Sequence, residues 1–130
     1  LARFCGEDTI AYVQCTDEND EHYVELKAME EELKTFTQLN GEPYRLVPLP
    51  MPESRFEDDF RLPATYANFL IINQAVLMPF YNCPQDRVAQ SILQKEFPNH
   101  EVVGIDCTSL IRQHGSLHCV TMQFPIGVLK

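Results

Sequence analysis

Two stretches of this chain, about 60 residues apart, run through the same order of elements: a strand, a polar stretch, a helix and a closing strand. Alternation of that kind restricts the fold to α/β modules, because a helix crossing one face of a sheet is the short way to reach a parallel strand. Each module alone leaves one sheet face uncovered, so the units must stack. With 130 residues the chain has room for one domain.

In the first stretch, residues 9–15, Thr-Ile-Ala-Tyr-Val-Gln-Cys, are rich in branched and aromatic side chains and predict a strand. Thr16-Asp17-Glu18-Asn19-Asp20 ends it and offers helix caps. From Glu21 to Leu39, the recurrence of Leu26, Met29, Leu33 and Phe36 at threes and fours predicts a helix with one apolar face. Asn40-Gly41 stops it, glycine being free to form a left-handed cap. Tyr44 to Val47 predicts the closing strand. Pro48, Pro50 and Pro52 then speak against regular structure, and an acidic loop runs to Asp59.

The second stretch opens with two apolar runs, Asn68 to Ile72 and Ala75 to Met78, around Asn73-Gln74. They predict a tight hairpin, and their lack of alternation predicts cover on both faces. Pro84 opens a helix where its missing N–H costs nothing. Val88, Ala89, Ile92, Leu93 and Phe97 form its expected buried stripe, and Pro98-Asn99 its stop. His100 to Ile105 predicts a strand, Cys107 to Ile111 a helical turn, residues 112–118 a polar loop, and Val120 to Phe124 a last strand that wants further neighbours.

Charge is uneven. Residues 1–65 hold 15 acids against 6 bases, whereas residues 66–130 are balanced, so the whole net charge of -9 lies in the first half. No basic stripe could neutralise a phosphate backbone, which argues against nucleic acid as a partner. The acidic field suits a cationic small molecule, or is simply a solvated face. No apolar run approaches the roughly 20 residues of a membrane helix. Cys5, Cys15, Cys83, Cys107 and Cys119 are odd in number and widely spaced, which fits neither a disulfide framework nor a zinc knuckle and suggests a reducing, cytoplasmic setting. A start at Leu1, without methionine or signal peptide, is read as a piece of a longer chain.

The chemistry-bearing stretch is Arg112-Gln113-His114-Gly115-Ser116-Leu117-His118-Cys119-Val120-Thr121. Cys119 sits where a polar loop enters the expected strand, and Gly115 permits a turn or a close approach to ligand. Three readings of the cysteine stand on local pattern: a nucleophile, an inert core thiol, or a metal site with His114 and His118. The histidine spacing fits no common zinc signature, and a strand would turn His118 and Cys119 to opposite faces. Thr121 and Gln123 would then share the face of Cys119.

This segment resembles the nucleophile loop of the agmatine deiminase family and its relatives, the Porphyromonas-type peptidylarginine deiminases, where a Gly-rich turn ends in His-Cys-Ile/Val-Thr. Ala2-Arg3-Phe4 resembles the residues after the family's Gly-His-Val/Ile-Asp motif, and Ala11 to Asp20 its strand and Thr-Asp-Xaa-Asn-Asp turn. Leu62-Pro63-Ala64-Thr65-Tyr66-Ala67-Asn68-Phe69 resembles its Ser-Tyr-Val-Asn-Phe segment, and Phe97-Pro98 with Val102-Val103-Gly104-Ile105 the run before the active-site loop. The family often has Gly-Gly-Gly-Asn-Ile before His-Cys, where His114, Gly115, Ser116 and Leu117 stand here, so Ser116 replaces an amide with a smaller hydroxyl.

The resemblance implies a five-bladed β/α propeller of the pentein type, built of repeated ββαβ modules, with this chain as the C-terminal part of a single catalytic domain. It implies hydrolysis of agmatine to N-carbamoylputrescine and ammonia by a Cys119 thiolate, a step in putrescine and polyamine synthesis, with no metal and no organic cofactor. The catalytic histidine and the acids that grip the guanidinium are expected upstream of Leu1, so the isolated piece is expected to be inactive. Asn68, Gly115 and Ser116 are the candidate substrate contacts. The expected partners are a small guanidino cation and the rest of the chain, with homo-oligomerisation open and no membrane. The competing readings are deimination of free or peptidyl arginine, and a non-catalytic module of the same fold. Arg112 could meet the carboxylate of arginine, although a surface ion pair is its expected role.

Overall fold

Both modules form, and both have the same wiring. The computed structural model describes residues 1–128. In the first module, β1 (Ala2–Phe4) runs antiparallel to β2 (Thr9–Gln14), and helix α1 (Tyr23–Leu33) crosses to β3 (Arg45–Pro50), which lies parallel to β2. A small hairpin of β4 (Phe56–Glu57) and β5 (Phe60–Arg61) comes next. In the second module, β6 (Leu70–Ile71) runs antiparallel to β7 (Ala75–Phe80), and helix α2 (Gln85–Glu96) crosses to β8 (Glu101–Asp106), parallel to β7. Each unit is therefore a ββαβ sheet of three strands.

The main core lies between the two sheets and α2. Ala11, Val13, Val47 and Leu49 meet Val76, Met78, Ala89 and Leu93 in one apolar cluster. The other face of β2 is closed by α1, where Ile10 and Tyr12 pack on Leu33. Helix α2 touches both its own β8 and the β3 strand of the first module, and an Arg45–Glu96 ion pair joins them at the rim.

Several expectations change on folding. Helix α1 is shorter than 21–39: Thr35 donates its hydroxyl to the Glu32 carbonyl, and Thr37 bridges Pro43. Branched Thr35 and Thr37 favour extended backbone, which leaves Phe36 43% exposed rather than in the buried face. Gly41, at φ +86°, turns the loop between Gln38 and Glu42 and does not cap the helix. The prolines do not end β3: Pro48 pairs with Tyr12 and Pro50 with Gln14. They alternate, so their missing N–H groups both lie on the free edge, and the residues between them supply the ladder donors.

The acidic loop contains the β4–β5 hairpin, whose Asp58 and Asp59 take φ of 47° and 67°, a mirror-type turn that aspartate tolerates. Strand β1 is too short to show a period in the sequence. The Asn73-Gln74 hairpin forms, with the Ile72 N–H on the Ala75 carbonyl at 2.9 Å. Both faces are covered, one more tightly: Val76 and Met78 are fully buried on one, and on the other Pro79 is fully buried and Leu70 is buried beside the half-buried Leu77. In α2, Ala89 and Leu93 are fully buried but Val88 is 53% exposed. The turn expected over 107–111 forms as a 3-10 turn at Leu110–Gln113. The last strand does not form. His118–Val120 make a 3-10 turn, and residues 121–125 run on without a ladder partner among the described residues, because no strand lies beside them. Among the described residues no helix is long and apolar enough to cross a membrane.

Candidate active site

Two loops that leave the second module's neighbourhood converge on Cys119. One is the Leu62–Phe69 segment after β5. Leu62, Tyr66 and Phe69 anchor it in the core, and the Thr65 hydroxyl accepts the Ala67 N–H at 3.2 Å, a local turn that delivers Asn68 to the surface. The other comes after β8. Its 3-10 turn ends at His114 in the left-handed region, φ 64°, and the chain then doubles back through Gly115, Ser116 and Leu117.

The Asn68 amide joins the loops. Its Nδ2 donates to Cys119 Sγ at 3.2 Å, and its Oδ1 accepts the His118 N–H at 2.6 Å. The Asn68 carbonyl also accepts that N–H, at 3.3 Å. Asn68, Gly115, Ser116 and Cys119 are thus brought together. A Cβ at Gly115 would stand 3.2 Å from the Cys119 Cβ and 3.7 Å from its Sγ, so glycine is what lets this turn fold tightly over the thiol. Ser116 is 1% exposed, and its hydroxyl faces inward to the Tyr81 hydroxyl at 2.8 Å. Its backbone faces the Cys119 turn, where its carbonyl accepts the Cys119 N–H at 3.1 Å.

Cys119 is the exposed thiol of the five; Cys15, Cys83 and Cys107 are buried and Cys5 is half-buried. Its electrostatics separate it further. The Ser116 backbone N–H and then the Asn68 amide hold the Cys119 thiol below the ordinary cysteine range. Burial pushes Cys5 up to about 11 and raises Cys107 as well. A thiol that is accessible and stabilised as thiolate is the reactive kind.

The 3-10 turn replaces the opposite-face relation expected of a strand at His118 and Cys119. The Thr121 hydroxyl donates to the His118 carbonyl at 2.8 Å, and Gln123 Nε2 to the Ile71 carbonyl at 2.8 Å. Burial and then the Arg3 guanidinium lower the His118 imidazole below its usual range. Among the described residues no group of three His, Cys, Asp or Glu side chains could hold a metal ion. Arg112 pairs with Glu57 of β4, so its charge is engaged at the surface. Arg3, which sequence reasoning passes over, donates Nη1 to the Phe69 carbonyl at 2.9 Å and steadies the chain beside Asn68. Tyr81 is missed in the same way. The signal that could have found it is a tyrosine closing an apolar strand, since a buried phenol must find a partner.

Comparison with known proteins matches residues 1–125 to the model of the Porphyromonas-type peptidyl-arginine deiminases. The chain belongs to that family. A Porphyromonas gingivalis structure, provisionally named an arginine deiminase, is 60% identical, with a TM-score of 0.96 over 98% of this chain and 38% of its own. The C. jejuni agmatine deiminase structure is 45% identical, with a TM-score of 0.83 over 92% of this chain and 36% of its own. A provisionally named agmatine deiminase of Marinomonas sp. is 34% identical over 89% of this chain and 36% of its own length. The chain therefore spans little more than a third of each relative that it matches.

Proposed function

We propose that this chain is the C-terminal part of a single deiminase domain and supplies its nucleophile, Cys119, for the hydrolysis of agmatine to N-carbamoylputrescine and ammonia. The observation that carries the reading is the exposed Cys119 thiol engaged by Asn68 Nδ2 at 3.2 Å. The remaining blades of a five-bladed propeller, with the general acid–base histidine and the acids that bind the guanidinium, belong in this reading to the preceding part of the protein.

Guanidinium carbon is a poor electrophile because its charge is spread over three nitrogens. Carboxylates that hold those nitrogens favour a tetrahedral carbon. The Cys119 sulfur pair forms the S–C bond, and the C–N bond breaks as the departing nitrogen takes a proton and leaves as ammonia. Water adds to the S-alkylthiouronium carbon, giving up one proton to the upstream histidine and the other to solvent, the C–S bond breaks, and the thiolate returns with the neutral ureido product. Asn68 and the Ser116 backbone N–H serve the thiolate at the beginning and end of this cycle. The acidic first half of the chain favours approach of the dicationic substrate.

Ammonia release from agmatine by the full-length protein tests the reading. Turnover should vanish in the isolated 130-residue chain. A full-length protein that releases no ammonia from any guanidino substrate would leave the non-catalytic module as the explanation. A second reading, deimination of free or peptidyl arginine, is favoured by the family's own description and by the identity of 60% to the provisionally named arginine deiminase. Side-by-side turnover of agmatine, arginine and a peptide with C-terminal arginine decides between them; a preference for arginine of about tenfold, near 1.4 kcal/mol, would reverse the substrate assignment.

A further inference from the structure

Tyr81 is fully buried at the point where β7 ends. Its backbone is held at both sides: the N–H donates to Asp86 Oδ1 at 2.9 Å, and the carbonyl accepts Arg55 Nη2 at 2.7 Å. Its ring packs at a tilt on Tyr66, with centroids 5.6 Å apart. The phenol is thus an immobile post, and its hydroxyl is the part left to do something.

That hydroxyl touches both loops of the candidate site. It accepts the Thr65 N–H at 3.0 Å, donates to the Thr65 carbonyl at 3.0 Å, and meets Ser116 Oγ at 2.8 Å. A phenol has one proton and two lone pairs, so with Ser116 donating to it every position is filled. Burial raises the Tyr81 hydroxyl to about 12, which keeps its proton in place at neutral pH. From Thr65 the chain turns directly to Asn68, whose N–H returns to the Thr65 carbonyl at 3.3 Å. From Ser116 it turns directly to Cys119.

We propose that Tyr81 is a positioning residue for the nucleophile: its hydroxyl clamps Thr65 to Ser116 and so holds the Asn68 amide and the Ser116 backbone against Cys119 Sγ. The inference rests on Cys119 being the nucleophile of the proposed deiminase, and it adds a residue that never touches substrate. Removing the hydroxyl takes the acceptor from the Thr65 N–H and the phenol partner from the buried Ser116 hydroxyl, leaves the Thr65 carbonyl with the Asn68 N–H alone, and the two loops lose their common anchor.

The test is the pH profile of Cys119 alkylation by iodoacetamide in the full-length protein, read on the Cys119 peptide by mass spectrometry. Tyr81→Phe should slow alkylation near neutral pH by about fivefold, move the midpoint upward, and converge with the parent at high pH, where every thiol is ionised. Tyr66→Phe is the control, since it too loses a buried hydroxyl, but one that meets Asp86 at 2.7 Å and Cys83 Sγ at 3.2 Å and links neither Thr65 nor Ser116. A Tyr81→Phe profile that superimposes on the parent overturns the proposal, as does an equal shift in Tyr66→Phe. Should Tyr81→Phe fail to fold, Ser116→Ala cuts the same link from the other side and spares the Tyr81–Thr65 pair. A shift of about twofold in that variant supports the clamp, and an unmoved profile sinks it. Because no substrate is involved, a protein without deiminase turnover but with a shifted profile would defeat the functional reading and leave the clamp standing.

Discussion

The two ββαβ modules share their wiring and divide their labour. In the first, the crossover helix carries a lattice of ion pairs at its water-facing edge, Lys27 and Lys34 against the exposed Glu31 and the buried Glu30. Its turn acids Asp20 and Glu21 are taken up by Arg61. Four of the 15 acids of residues 1–65 are thus paired within that half, and most of the net charge is carried by the others. In the second module the crossover helix is pressed between sheets, and its first turn brings Asp86 into a buried set of bonds with the Tyr66 hydroxyl and the N–H groups of Tyr81 and Cys83. Identical topology therefore does not imply identical use. The candidate chemistry sits on the segments entering and leaving the module whose β7 end is held by the buried Asp86, since a reactive side chain needs a rigid frame.

The sharpest way to break this division is Cys119→Ala in the full-length protein. Turnover should fall by about a hundredfold or more, while the melting temperature stays put because the thiol is exposed. Retained turnover would remove the second module's claim to the chemistry.

Stability should separate the helices next. Leu93→Ala empties a fully buried site and should cost about 3 kcal/mol by denaturant titration. Val88→Ala, on the same helix but half exposed, should stay within about 0.5 kcal/mol. Equal losses would mean that α2 is buried all round.

Gly104 probes the sheet edge. A Cβ there would lie 2.3 Å from the Phe80 ring, so Gly104→Ala must displace that ring and should cost about 2 kcal/mol in the same titration. No change would show that the ring swings aside freely.

The smallest effect concerns the thiolate. Because its ionised form is stabilised by the Ser116 backbone and Asn68, Cys119 should react with iodoacetamide below the pH at which an ordinary thiol does, losing reactivity as pH falls through its lowered pKa. Asn68→Ala removes the second of those groups and should slow the reaction about threefold near neutral pH, with the midpoint moving up. A midpoint that stays or moves down would assign Asn68 to loop structure alone.

The sequence by itself determined the module order, the tight hairpin, and the second helix and its stop, whereas Cys119 stood apart from the other four cysteines only by resemblance. Those elements come from local rules: side-chain period, proline at a helix start, a polar turn between apolar runs. It also brought Asn68, Gly115 and Ser116 forward by resemblance, although nothing local says that residues 68 and 119 meet. Only the tertiary structure decided that meeting, because the Asn68–Cys119 bond spans two loops anchored by different strands. It likewise carried β3 through Pro48 and Pro50, since a proline is excluded from a ladder only when its missing N–H faces the partner. And among the described residues it left Val120 to Phe124 out of any ladder: alternation can prepare a strand, but a strand exists only where another backbone lies alongside to take its hydrogen bonds.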